Sequence, residues 1–389
     1  MEKLLAIRMN KFFLLSIFLV NFFLLEGQEI RKDFSFQGYV KYLPSYIGYS
    51  DNESEVNHLI HNRINMRGYI GDNFSVGLDL RNRVLFGKTQ VIFEDKGIID
   101  LSNFIVDTRD FKIHSVIDRI WLKYQIDKIE ISIGRQRVNW GINTIWNPND
   151  LFNAYNFIDF DYIERPGSDV LRFQYTGDDL SSLDIVYKPS KYNGSVISAL
   201  YRINKVGYDF QFLAANYYDD LALGGGWAGN IKNAGFKGEI TYFISKKKTQ
   251  DNSTSFSTSI DYSFRNGLYI LATHLYNSNG ISDPDKFNLE NLTDNILSPK
   301  NLMPSKNSYL IQVSKQISPA INSSLAIMHG QGVKFLFMSP NISYEIDSSF
   351  DASIIGQFFY MDQDKIYKNL LKGIYFQFKY SFCLNFIII

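Results

Sequence analysis

Eight basic side chains, Arg63, Arg67, Arg81, Arg83, Arg119, Lys123, Arg172 and Arg202, stand on alternating positions within short apolar/polar runs. A guanidinium stays charged at any physiological pH and grips carboxylate or phosphate with two prongs, so this set suits handling of anions more than bond making. The residues that make or break bonds are poorly represented. His58, His61, His114, His274 and His329 are scattered without ligand spacing, and Cys383 is the only cysteine. That excludes an internal disulfide and leaves no metal site or cofactor to expect. His114-Ser115 and His274 have no partner pattern for a nucleophile and its base, so no enzyme is expected. Gly224-Gly225-Gly226 falls inside a strand pattern, where a bend or close backbone approach explains it better than a phosphate cradle.

The elements that must carry these cations are strands. From Ile64 to Arg83, two alternating runs meet at Gly71-Asp72-Asn73. Ile64, Met66, Ile70, Phe74, Val76, Leu78 and Leu80 fall on one face and the arginines on the other. The same pattern gives about 18 strands between residues 33 and 382, with 16 as the alternative count, because two connections near Asp219 and Gln331 are very short. Short turns alternate with long connections around 50–60, 88–117, 141–167 and 278–307. The expectation is therefore an all-β, transmembrane antiparallel β-barrel in the cell outer membrane, with both termini in the periplasm and lipid and lipopolysaccharide around it. A barrel of this width encloses an aqueous channel. Residues 1–27, with Lys11 ahead of an apolar Phe12–Leu25 run, read as a signal peptide, and 28–389 as one barrel without a linker. No further long apolar run exists for membrane helices. The 40 basic and 40 acidic residues balance, so nothing points to nucleic acid.

Strand parity turns the eight basic residues inward together with Asp79, Glu130 and Asp184. Either they remain open to anions or they pair with the acids and stiffen a polar interior, and only open charges select ions. Arg135 and Arg137 continue the outward parity of Ile129, Ile131 and Ile133. A charge facing lipid at mid-depth costs roughly 2 to 4 kcal/mol, so a β-bulge at Gly134 is expected to turn them inward and Trp140 outward. The segment Gly141–Gly167 is long, aromatic and rich in Asn. Ile145, Trp146, Leu151, Phe152, Tyr155, Phe157, Phe160 and Tyr162 need burial there, and the barrel interior offers it. The expectation is an inward-folded constriction loop in which Trp146 and Asn147 pack and Asp159, Asp161 and Glu164 face the arginine arc; an external cap is the competing reading.

Gly134-Arg135-Gln136, Trp140-Gly141, Asn147-Pro148, Arg165-Pro166-Gly167 and Tyr187-Lys188-Pro189 resemble porin-like barrels of the alginate-export type. Gly238-Glu239 and Asp261-Tyr262-Ser263-Phe264 are similar to the same group, especially its Bacteroidota members. The resemblance implies an 18-stranded channel with an arginine-lined passage for small anionic or sugar-like solutes. Two function classes stay open: a porin, with homo-oligomerisation open, and a barrel with a plugged lumen that attaches capsular polysaccharide. A transporter with a globular plug is disfavoured, because strand signals begin at once after the apolar run.

Overall fold

The computed structural model describes residues 32–50, 53–87, 95, 97–154, 159–161, 164–191, 194–283, 297–363 and 366–388. The expected signal peptide lies outside them. The strands are β1 (Lys32–Tyr49), β2 (Ser54–Ile70), β3 (Phe74–Phe86), β4 (Ser102–Asp107), β5 (Phe111–Ile126), β6 (Ile129–Gln136), β7 (Ser168–Thr176), β8 (Ser182–Lys188), β9 (Val196–Lys205) and β10 (Tyr208–Tyr217). They continue as β11 (Asp220–Ile231), β12 (Ala234–Ser245), β13 (Ser253–Ser263), β14 (Leu268–Asn277), β15 (Asn307–Ser318), β16 (Ile321–Gly330), β17 (Phe335–Glu345), β18 (Phe350–Gln363) and β19 (Ile366–Ile388). Each wall strand pairs antiparallel with its neighbours, and β1 closes on β19 from Lys32↔Ile388 to Tyr49↔Leu371. The wall is a closed 18-stranded barrel, the larger of the two expected counts. Closure satisfies every ladder without leaving a sheet edge in lipid.

The nineteenth strand, β4, was not legible in the sequence. β3 pairs directly with β5, while β4 pairs with the outer part of β5 on the other side, Ser102↔Val116 to Asp107↔Lys112. Nearer the short turns that side of β5 belongs to β6, from Ile120↔Arg135 to Ile126↔Ile129. The β3–β5 ladder shifts register between Asp79 and Leu80, which brings Asp118 and Arg119 together toward the interior.

Alternation decides which face each residue takes. Ile131, Ile133, Leu171, Ile185, Phe212, Ile311, Phe376 and Tyr380 are exposed on the outer surface. Their polar neighbours Ser132, Asp184, Gln211, Glu239, Thr241 and Ser257 are buried in the interior. The tail beyond Phe382 keeps the ladder: Cys383 pairs with Gln37 and Leu384 with Phe36. At the short-turn rim, Val206 and Gly207 both take positive φ, 54° and 75°, the geometry a two-residue hairpin needs to follow strand twist.

Candidate permeation site

The basic residues of the first strands face the barrel interior and converge on few acids. Arg63 bridges Asp118 at 2.5 Å and Asp79 at 3.1 Å; Arg67 reaches Asp79 at 2.5 Å, Arg119 reaches it at 3.7 Å, and Arg81 reaches Asp118 at 3.0 Å. Four guanidinium groups thus meet on two buried carboxylates. Lys123 pairs with Glu130 at 3.0 Å, Arg172 grips Asp184 at 2.6 Å, and Arg202 donates to the Asn139 carbonyl at 3.4 Å. Next to this cluster, direct cross-strand pairing joins Lys379, Lys41, His61, Arg83 and His114 in one row across β19, β1, β2, β3 and β5.

The segment after β6 turns into the barrel. Its first limb is fixed to the wall opposite the basic arc by one carboxylate, Glu239 on β12, which is fully buried. Glu239 Oε1 accepts the backbone N–H groups of Ile142 and Asn143, the latter at 2.6 Å, and Oε2 accepts that of Asn149 at 3.0 Å. Around this clamp, Thr241 donates to the Pro148 carbonyl at 2.9 Å, Asn149 to the Gly225 carbonyl at 2.9 Å, and Ser257 to the Trp146 carbonyl at 2.8 Å. Gln211 donates to the Trp140 carbonyl at 3.0 Å. Charge-assisted bonds to backbone N–H groups hold irregular chain in a dry place where unpaired amides are costly. Apolar packing completes the limb. Leu151 and Phe152 pack among Val186, Leu200, Leu213 and Phe243, and Ile145 and Trp146 among Leu271, Leu275, Leu310 and Phe335. Asn147 is buried against Gly141, where a Cβ would meet its side chain at 2.3 Å.

The second limb meets the basic arc. Asp161 lies 2.6 Å from Lys41 Nζ, 3.1 Å from His61 Nδ1 and 3.7 Å from Arg83. Burial would raise the Asp161 carboxyl, but the hydrogen bond from His61 and the charges of His61, Lys41 and Arg83 outweigh it and hold the group well below the usual carboxylate range. Glu164 accepts from Tyr39 at 2.9 Å, and its backbone carbonyl accepts from Arg119 at 2.5 Å. Asp159 accepts the Asp161 N–H at 3.2 Å. Within the loop, Arg165 bonds Asp150 at 2.9 Å. Burial dominates at Asp150 and raises its carboxyl to about 6 despite Arg165. The described parts of the loop therefore contact opposite arcs of the wall, the first limb on the side of β8 to β17 and the second on β1, β2, β3, β5 and β19. Tyr155, Phe157 and Tyr162 lie outside the described residues; Phe160 packs edge-on against Tyr375.

The expected bulge at Gly134 is absent. Gly134 has φ +117°, yet β6 stays in register with β5 and β7 on both sides. Arg135 instead fills the junction where β6 ends and β4 begins. It bonds Asp169 at 2.8 Å, Asp95 at 2.7 Å and the carbonyls of Ile99 and Ile117 at 2.8 and 3.4 Å. Arg137 is exposed just beyond the end of β6. Trp140 does not reach the lipid face; its indole N–H donates to Asp184 at 2.8 Å inside the barrel, because the chain has already left the wall at Gln136. Sequence reasoning missed Glu239, Lys41 and His61 as site residues. Inward parity beside Thr241 marked Glu239, but nothing in the sequence tied it to a loop some 90 residues earlier.

Among solved structures the barrel is similar to Pseudomonas aeruginosa OpdQ at 9% identity and TM-score 0.60, covering 91% of this chain and 99% of that one. It is also similar to Acinetobacter baumannii OccAB3, at 11% identity and TM-score 0.58 over 91% and 99% of the two chains. Pseudomonas aeruginosa OprD gives 10% identity and TM-score 0.57 over 92% and 97%. Those proteins are outer-membrane porins of the OprD/Occ group. The chain has the porin-type barrel fold, and at these identities the likeness is one of fold alone. No protein-family model and no curated protein matches the sequence.

Proposed function

We propose that this chain is an outer-membrane channel that passes small hydrophilic solutes, with a preference for anionic or sugar-like ones. The observation that carries the reading is the concentration of cations on one interior arc, with four guanidinium groups on two carboxylates beside the row from Lys379 to His114. A one-sided charge on the wall of a narrow passage concentrates the opposite ion there. In this reading Arg63, Arg67, Arg81, Arg83, Arg119, Lys123, Arg172 and Arg202 line the pore, and the loop from 141 to 167 is its constriction. Arg135 has a structural role at the β4–β6 junction, and Arg137 is left out of the lining. The alginate-export-type motifs place the chain, as a proposal, nearer that porin-like group and a Bacteroidota source. The first 27 residues serve as the export signal, and lipopolysaccharide surrounds the loop rim.

Planar-bilayer recording under a salt gradient tests this. The expected result is anion-selective current, with the reversal potential moved toward zero when Arg81 and Arg83 are both replaced by Met. A cation-selective current in the unaltered protein would refute the preference. A second reading, attachment of capsular polysaccharide by a plugged barrel, is favoured by one observation: the first loop limb fills the interior from Val138 to Phe152 with buried apolar packing. A folded barrel without current would select it.

A further inference from the structure

The outward face of the wall carries one row of polar side chains that lipid cannot satisfy. Asn62 pairs directly with Asn82, Asn82 with Ser115, and Ser115 with Asn103 of β4. Asn62 and Asn82 share the parity of the outward Ile64 and Leu80, not that of Arg63 and Arg81. Directly paired apolar residues border the row on both sides, Ile60, Val84 and Ile113 toward the long loops and Ile64, Leu80 and Ile117 toward the short turns. Outward aromatic pairs mark the edges of the apolar band here: Phe74 with Tyr124 at 4.7 Å, and Phe86 with Phe111 at 5.0 Å. Phe74 and Phe86 are the two ends of β3. At about 3.3 Å per residue and a strand tilt of about 40°, they stand about 30 Å apart across the membrane, the thickness of its hydrocarbon core. Asn82, a turn of sequence before Phe86, then lies about 10 Å inside the outer edge, below the headgroups.

The row satisfies itself only in part. Ser115 donates to Asn82 Oδ1, Asn82 to Asn62 Oδ1 at 3.0 Å, and Asn62 to the Tyr39 carbonyl at 3.1 Å. Each of these two amides spends one of its two N–H groups in this way. The Asn103 side chain makes no hydrogen bond among the described residues, and all four side chains are partly exposed. Polar groups that face hydrocarbon without partners are strongly unfavourable.

We propose that this row is the contact face for a second copy of the chain within the membrane. Only a wall with polar groups at the same depth meets the remaining N–H groups and oxygens, and a copy inserted in the same orientation presents its own row at that depth by symmetry. A primary amide carries both donor and acceptor, so a two-fold axis along the membrane normal at Asn82 sets self-complementary groups against each other. No hydrophobic force drives walls together in lipid, and hydrogen bonds between such side chains take over that role.

Sedimentation of the refolded full chain in density-matched detergent, and cross-linking in liposomes, test the proposal. The unaltered protein is expected to sediment as a dimer at concentrations where the double variant Asn62→Leu, Asn82→Leu is monomeric, a weakening of about tenfold or more. On a Cys383→Ser background, which removes the exposed native thiol, Val84→Cys keeps all four polar groups and is expected to yield a dimer with a short bismaleimide. Ile311→Cys, exposed on the far side of the barrel, is expected to yield none. A monomer throughout, a dimer indifferent to the leucines, or equal cross-linking at both cysteines overturns the proposal. Should the double variant fail to fold, judged by heat-modifiable migration, Asn103→Leu replaces it under the same expectation, and an unweakened dimer overturns the idea. Self-association is separate from conduction: a monomer that conducts sinks only the interface, and a dimer without current sinks only the channel.

Discussion

Removing the Glu239 clamp should release the first limb of the loop while leaving the barrel intact. The carboxylate takes three backbone N–H groups, two on Oε1 and one on Oε2, and the residue is fully buried. An orphaned buried donor costs about 1 to 3 kcal/mol. For Glu239→Ala, three such losses, partly relieved by entering water, amount to about 4 kcal/mol, which shifts the ratio of seated to detached loop roughly 1,000-fold. In Glu239→Gln the amide oxygen can still serve Ile142 and Asn143, but the amide nitrogen faces the Asn149 N–H donor to donor. One lost bond and one repulsion come to about 2 kcal/mol, or roughly 30-fold. Cleavage at an opened segment tracks the population of the open form when opening and closing are fast. Limited proteolysis between residues 141 and 154 should therefore accelerate in the order unaltered protein, Gln, Ala, and single-channel conductance should rise in the same order. If both variants resist protease like the unaltered protein and conduct alike, the clamp does not hold the loop and the reasoning fails.

Asp150 gives the loop a pH dependence of defined sign. Burial raises its carboxyl from 3.8 to about 6, so its contribution to loop seating is fully present below pH 4 and lost as pH rises through 6. The change amounts to about 3 kcal/mol. Protease resistance of the loop should be greater at pH 5 than at pH 8, and Asp150→Asn should remove that difference; an equal pH response in the variant would contradict it. Arg63→Met leaves the buried Asp118 and Asp79 without their shared bridge. It should lower stability by about 3 kcal/mol, read from the denaturant midpoint in detergent. Arg63→Lys, lacking the fork, should fall between the two, and an unchanged midpoint in Arg63→Met would count against the network.

The wall was legible in the sequence because alternation is a local property. Ile64, Met66, Leu78 and Leu80 face outward for the same reason Arg63, Arg67, Asp79 and Arg81 face inward, and no distant contact alters that. The inward bend of the loop was legible from its unburied apolar residues, and Ile145, Trp146, Leu151 and Phe152 are indeed buried. What holds it was not. Glu239, Lys41 and His61 act across 90 to 120 residues, a relation that barrel closure creates and no spacing records. Parity also failed where the chain stops being a strand. Extending β6 to residue 140 suggested a bulge at Gly134 and a girdle position for Trp140, whereas the ladder ends at Gln136 and the tryptophan follows the loop inward.

The substitution of β4 for β6 along the outer part of β5 means that one stave of the barrel is assembled from two lengths of chain, residues 102–107 and 129–136, spliced end to end. Arg135 is the rivet of that splice: from the end of β6 it bonds Asp169 of β7 and, ahead of β4, Asp95 and the Ile99 carbonyl. A continuous stave would have carried β6 to the rim and left the following residues outside the cylinder. By ending early and letting another segment finish the wall, the chain obtains an exit on the inner side, and it is through that exit that the loop enters the barrel interior.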